Sequence, residues 1–205
     1  MDSVTFWKLI DASRTASNED PERQLEEIGA LLDALPVEEV VAFQHRLDAC
    51  FESSYTWAVW GAACVIAGGC SDDGFDDFRG WLISRGKRTF EAALEQPDEL
   101  GSSITDVDEK LCCQVEGWRS VGSDAWVRRT RRDDAEFPAL DGVERAEEPA
   151  GVRWKDDDLE RLYPKLSRRF GQAAATRDRT WGAVFARTAR FLRKLRGITR
   201  ARRGP

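Results

Sequence analysis

YTWAVWGAACVIAGGCSDDGFDDFRGWLISRG, residues 55–86, is the stretch whose reading decides how the rest of the chain is arranged. It holds three of the eight tryptophans and two of the five cysteines. No charge falls between Glu52 and Asp72, after which Asp72, Asp73, Asp76 and Asp77 follow within six residues. Reading back to residue 40, Val40, Phe43, Leu47, Phe51, Tyr55, Ala58, Ala62 and Val65 recur at steps of three and four, which puts them on one face of a single long helix. Trp57, Trp60 and Cys64 add a second stripe, so the C-terminal half of that helix is apolar almost all round, as a buried core helix is. Gly68 and Gly69 supply the permissive backbone that ends it. Ser71 then caps a second helix, with Asp72 and Asp73 in its first turn where the macrodipole favours negative charge. Phe75, Phe78 and Leu82, with Trp81 alongside, carry that helix as far as Gly86. The expectation is a helical hairpin with a tight acidic corner and its indoles indoors.

Elements on either side extend the pattern. Phe6, Trp7, Leu9 and Ile10 mark a first helix. Asp20 followed by Pro21 starts a second, because a capping side chain precedes a residue with its φ preset; Leu25, Ile28, Leu31, Leu32 and Leu35 form its apolar face, and Pro36 closes it. Beyond the hairpin, residues 88–95 read as a short helix with Phe90 and Leu94 inward, and Pro97 stops it. A sixth helix is expected from Asp106 to about Arg128, carrying Leu111, Val115, Trp118 and Val121 or Gly122 inward. Residues 129–153 mix charge, Pro and Gly and read as a long loop of low order. A further helix spans Leu159–Phe170, kinked or interrupted at Pro164. After Gly171, Trp181, Val184, Phe185, Phe191, Leu192, Leu195 and Ile198 keep helical spacing among crowded arginines, the pattern of a cationic amphipathic helix. The fold class is therefore all-α: a compact helical bundle over residues 1–171 with a long helix-hairpin core, and a basic amphipathic tail over 172–205.

Totals bound the function. A chain of 205 residues can bury one real core and carry an appendage. Residues 161–205 contain fourteen Arg or Lys and one acid, a balance of +13, against −19 for the rest. That basic end can lie on the protein's own acidic body, on an anionic membrane or on nucleic acid. Five cysteines without a C-x-x-C pair read as reduced thiols, and no basic segment followed by an apolar run precedes the first amphipathic pattern, so a cytoplasmic protein is expected. The uncharged run from Ser53 to Ser71 continues an amphipathic face and is diluted by Ser, Thr and Gly, which favours a core helix over a membrane span.

Candidate chemistry gathers at the acidic corner. His45, Asp48 and Glu52 share a helix face that could present an imidazole beside two carboxylates, and the four corner aspartates could hold a hard cation; a solvated face and helix-start charge account for both sets without a ligand. Cys70 stands where helix-start amides could lower a thiol pKa, and Cys112 and Cys113 diverge by about 100° on a helix. No metal site and no cofactor are expected. Trp57, Trp60 and Trp81 could line an aromatic pocket, with Asp72, Asp73, Asp76 and Arg79 at its edge. No phosphate-binding Gly loop, nucleophile elbow, dinucleotide fingerprint or two-histidine metal helix is present.

The central motif W-G-A-A-x-x-I-x-G-G-C-S-D-D-G-F-x-x-F-R-x-W-L-I resembles a bacterial family catalogued as domain of unknown function 4240. LLDALPVEEVVAF before it, EAALEQPDEL after it and RWKDDDLERLYPKLSRRFG near the end extend the resemblance over about residues 1–171. Where the family pattern places an Asp before Leu-Trp-Gly, this chain has Ala58. The resemblance implies a compact helical domain and carries no activity with it. The leading expectation is an intracellular binding or accessory protein that recognises a peptide or protein partner through Trp57, Trp60 and Trp81, within a biosynthetic or regulatory pathway. The second is an enzyme of unrecognised class using the 70–79 corner, with Cys70, Asp73 or His45 as catalytic candidates.

Overall fold

Why the first two helices begin where they do is visible at their caps. The computed structural model describes residues 1–104, 112, 114–138 and 146–171. Helix α1 (Ser3–Ala16) starts with the Asp2 carboxylate accepting from the Thr5 amide, and α2 (Pro21–Asp33) with Asp20 accepting from the amides of Glu22 and Arg23. Then follow α3 (Val37–Ser53), α4 (Trp57–Ala67), α5 (Asp72–Ser84), α6 (Lys87–Glu95) and α7 (Val121–Thr130). A short α8 (Leu159–Leu162) precedes a final helix, α9, over residues 164–171. Among the described residues no strand forms; one isolated bridge joins Thr56 to Ala150. The fold is all-α.

Helix α5 runs through the middle. Its Phe75, Phe78, Trp81, Leu82 and Ile83 are wholly buried and meet Phe6 and Ile10 of α1, Ile28 and Leu32 of α2, Phe43, Leu47 and Phe51 of α3, and Val59, Ala62 and Ile66 of α4 in one continuous core. Helix α3 also packs on α7, and there Gln44 does the work of a cap from a distance. Its Oε1 accepts from the amides of Gly122 (2.9 Å) and Ser123 (3.2 Å), while its amide donates to the Arg119 carbonyl (2.9 Å). Ser120, the residue preceding α7, makes no side-chain cap bond, so a side chain 78 positions earlier satisfies the first turn instead.

Three expectations are corrected. The single long helix is two: α3 ends at Ser53 and α4 starts at Trp57. Ser54 turns its hydroxyl back to the Cys50 and Phe51 carbonyls, Tyr55 and Thr56 leave the helical path, and the Thr56 hydroxyl caps α4 by accepting from the Val59 amide (3.1 Å). The expected sixth helix is likewise not continuous. Gly117 adopts φ 101°, residues 118–120 form a 3₁₀ turn, and only Val121–Thr130 is helical, while residues 105–111 and Cys113 lie outside the described residues. Finally, the described parts of the 129–153 stretch are tied down. Asp133 and Glu136 make a capping box, and Ala150 exchanges backbone hydrogen bonds with Tyr55 and Trp57 (both 2.9 Å). Pro164 interrupts the last helical segment as expected, with Tyr163 leaving helical geometry between α8 and α9. The amphipathic tail expected over 172–205 lies outside the described residues.

Candidate functional site

The hairpin at the heart of the motif closes as its residues dictate. Gly68 takes the left-handed conformation (φ 72°, ψ 36°) that an L side chain resists, and the Gly69 amide returns to the Cys64 carbonyl (2.8 Å). The Cys70 carbonyl then accepts the indole N–H of Trp60 (3.1 Å), and the Ser71 hydroxyl caps α5 by accepting from the Gly74 amide (3.2 Å). Bend and indole are thus locked together.

From that lock a column of flat groups extends across the protein. The rings of Trp57 and Trp60 lie nearly parallel (5°) with centroids 5.3 Å apart, and Trp60 stacks on Phe75 at 4.7 Å. The Arg79 guanidinium lies 4.8 Å from the Phe75 ring, 4.6 Å from that of Tyr55 and 5.5 Å from that of Phe51, whose ring also carries the guanidinium of Arg119 at 4.8 Å. At the outer end Arg153 covers Trp57 at 4.8 Å, and Trp154 meets Trp57 edge-on. Alternation of cations with electron-rich faces is attractive at each step, by about 0.5–2 kcal/mol per contact depending on burial.

Charge inside the column is balanced locally. Arg79, only 4% exposed, donates to the Phe51 carbonyl (2.9 Å) and pairs with Asp76. Asp76 also faces Arg119 (3.7 Å), which in turn reaches Glu52 (3.8 Å). Burial lowers the Arg79 pKa, and Asp76 works against that shift. Asp77, on the next position of α5, is pushed up to about 6 by burial and by the nearby Glu116, Asp76 and Asp73 carboxylates.

Beside the column opens a cleft of about 1160 Å³. One wall is α4 and the bend, through Cys64, Val65, Gly68 and Cys70; the other comes from Trp154, Leu159 and Pro164. Asp156, Glu160 and Arg168 set charges at its rim. Because Trp57, Trp60, Cys64 and Gly68 succeed one another at helical steps on α4, the cleft prolongs the Trp57–Trp60 stripe. Trp154 binds the two together by donating its indole N–H to the Trp57 carbonyl (2.8 Å).

The structure sorts the sequence candidates. Trp57 and Trp60 are half-buried, at the surface end of the column. Trp81 is fully enclosed against Phe78 in the core, so it lines no pocket. Asp72 and Asp73 are exposed in the first turn of α5, Asp76 and Arg79 belong to the column, and Cys70 lines the cleft. His45 sits elsewhere: its Nε2 meets the Pro138 carbonyl (2.8 Å) and its ring lies edge-on to Phe137. Asp48 accepts from Gln44 and Glu52 from the Ala146 amide, so the carboxylates expected beside His45 are engaged with different partners. Among the described residues no group of three or more His, Cys, Asp or Glu is placed to hold a metal ion, and no helix is long and apolar enough to cross a membrane. Sequence reasoning gave Arg119, Arg153 and Trp154 no site role, although Arg153 and Trp154 open the RWKDDDLERLYPKLSRRFG segment. Only Trp154 left a signal, an isolated aromatic in a charged stretch.

Residues 1–128 match the family described as protein of unknown function, DUF4240. The chain belongs to that family. No curated protein and no solved structure matches it. The DUF4240 match takes in the column from Trp57 to Arg119, but Arg153, Trp154 and the second wall of the cleft lie beyond residue 128, short of the reach to about residue 171 expected from sequence.

Proposed function

We propose that this DUF4240 chain is a binding module that takes a peptide or a segment of a partner protein along the Trp57–Trp60 stripe and into the adjoining cleft, acting as an accessory or regulatory component rather than through chemistry of its own. The observation that carries this reading is the half-buried indole pair, stacked in parallel and joined through Trp154 and the Cys70 bend to a cleft that those residues line. The indole N–H groups of Trp60 and Trp154 are already spent on the Cys70 and Trp57 carbonyls, and Trp60 is stacked against both Trp57 and Phe75, so Trp60 offers a partner a carbon edge rather than a face. The outer face of Trp57 is covered by the exposed side chain of Arg153, in the place a partner's cationic or aliphatic side chain would take. Residues 1–171 carry a net −15, which favours a partner segment with basic character. The acidic corner supports this reading over an enzyme, because His45 and Cys70 have separate surroundings.

Displayed random peptides selected against the full chain test the proposal, with affinities measured by calorimetry for the wild type, Trp57→Ala and Trp154→Ala. Losing an aromatic anchor should weaken a selected peptide by about tenfold or more. Failure to select any peptide, or selected peptides indifferent to both substitutions, would contradict it.

A further inference from the structure

Two of the cysteines meet at the bend between α4 and α5. Left-handed Gly68 and the bond from the Gly69 amide to the Cys64 carbonyl fold the chain back, setting Cys70 over the last turn of α4 although six positions separate the two residues. The Cys64 thiol donates to the Cys70 carbonyl (3.9 Å), and the Cys70 thiol to the Ser71 carbonyl (3.6 Å). The neighbouring Cys70, together with burial, raises the Cys64 pKa. Both residues line the cleft, with Cys70 half-buried and Cys64 only 8% exposed, so a small solute entering from solvent meets Cys70 first. Between them Gly69 has φ 118° and no neighbouring atom within 4 Å of the place a Cβ would occupy, so the bend has room to adjust.

We propose that Cys64 and Cys70 are a site of reversible oxidative modification, forming an intramolecular disulfide that tightens the bend beneath Trp60. With hydrogen peroxide as oxidant, the Cys70 sulfur attacks one peroxide oxygen, the O–O bond breaks, and sulfenic acid and one water result. The Cys64 sulfur then attacks the Cys70 sulfur: an S–S bond forms, the S–O bond breaks, and the departing hydroxide takes the Cys64 proton to leave as a second water. Two thiols lose two electrons and two protons, and one peroxide becomes two waters. A dithiol reductant reverses the change by exchange. Oxidation removes the S–H that Cys64 directs at the Cys70 carbonyl, the same carbonyl that holds the Trp60 indole, so the redox state of the pair reaches the aromatic column. Closing so short a ring restricts the unfolded chain little, so the signature is chemical and spectroscopic rather than a large gain in melting temperature.

The full chain is exposed to graded hydrogen peroxide, alkylated, digested with trypsin and weighed. The expected product is peptide 47–79 lighter by two hydrogens, with Cys50 as its one alkylated cysteine, restored by a dithiol. Each of Cys64→Ser, Cys64→Ala and Cys70→Ser, checked for native circular dichroism, should abolish that product, and Cys64→Ala should instead accumulate oxygen on Cys70. Tryptophan emission should change on oxidation of the wild type, and less in Trp60→Phe. Sulfinic acid on wild-type Cys70 with Cys64 still alkylated, a disulfide that includes Cys50, or full alkylation of both residues after peroxide treatment would each overturn the proposal.

Discussion

Arg79 shows how one side chain ties the fold to the candidate face. Its guanidinium answers a carbonyl in the last turn of α3, where a helix end favours a cation, and its flat surface continues the stack from Phe75 to Phe51. Replacing it by Met keeps much of the volume and removes the donors, leaving the Phe51 carbonyl with the Ser54 hydroxyl and Asp76 with the more distant Arg119. Arg79→Met should lower unfolding stability in urea by about 2–4 kcal/mol, and Arg79→Lys should recover only part of that, because an ammonium has neither the fork nor the flat face. A loss below about 1 kcal/mol would mean the column contributes little. Asp77 gives a prediction of opposite sign. Its folded pKa of about 6 stands above the usual 3.8, so the folded state holds the proton more tightly than the unfolded one. The contribution of this group is therefore fully present below pH 3.8 and is lost as pH rises through 6. Asp77→Asn should raise stability near pH 7 by about 1 kcal/mol, a value reduced for the half-exposed setting, and flatten the melting profile across that window. An unchanged profile would contradict the assignment.

At the scale of elements, the break between α3 and α4 is what makes the face possible. A continuous helix would carry Trp57 onward on the α3 axis, whereas the turn at Ser54–Thr56 redirects α4 and leaves backbone groups of Tyr55 and Trp57 to pair with Ala150. Removing the cap by Thr56→Val should cost about 1 kcal/mol in thermal or urea unfolding. Gly61 marks a second constraint on α4: a Cβ there would fall 2.4 Å from the Tyr163 hydroxyl, which donates to the Ala58 carbonyl (2.7 Å). Gly61→Ala should destabilise by about 1–3 kcal/mol, and Tyr163→Phe should relieve only part of the clash because the ring carbons remain close. The periodicity of Val40 to Val65 revealed the buried face of α3 and, on α4, buried Ala62 and Val65, but it wrongly included exposed Ala58 and concealed the break, because Tyr55 falls in phase with Phe51 and the interruption costs the pattern nothing. Ser53-Ser54-Tyr55-Thr56 carried the local signal, hydroxyls that end one helix and cap the next. Caps made by neighbours, at Asp20 and Ser71, were legible; the cap that Gln44 gives α7 was not, because a contact across 78 positions has no local trace.

Across the whole molecule, the hairpin motif and the all-helical class could be read from spacing, while the site could be read only in part. Trp57 and Trp60 were legible as an apolar stripe, but their exposure depends on Trp154 and Arg153 arriving from nearly a hundred positions away. Trp81 carries the same spacing signal and is core, since period alone does not say which stripe faces α1 and α3. A chain ending at Gly171 should melt as cooperatively as the full chain if residues 1–171 fold by themselves; loss of the transition would show that 172–205 complete the core. The central claim, that the Trp57–Trp60–Trp154 face is where a partner binds, is tested most directly by the indole ¹⁵N–¹H spectrum of the full chain during titration with a selected peptide. The account predicts that the Trp57, Trp60 and Trp154 resonances, assigned by single substitutions, shift on binding while those of buried Trp81 and Trp118 hold still. Shifts confined to other indoles, with these three unmoved at saturation, would contradict it.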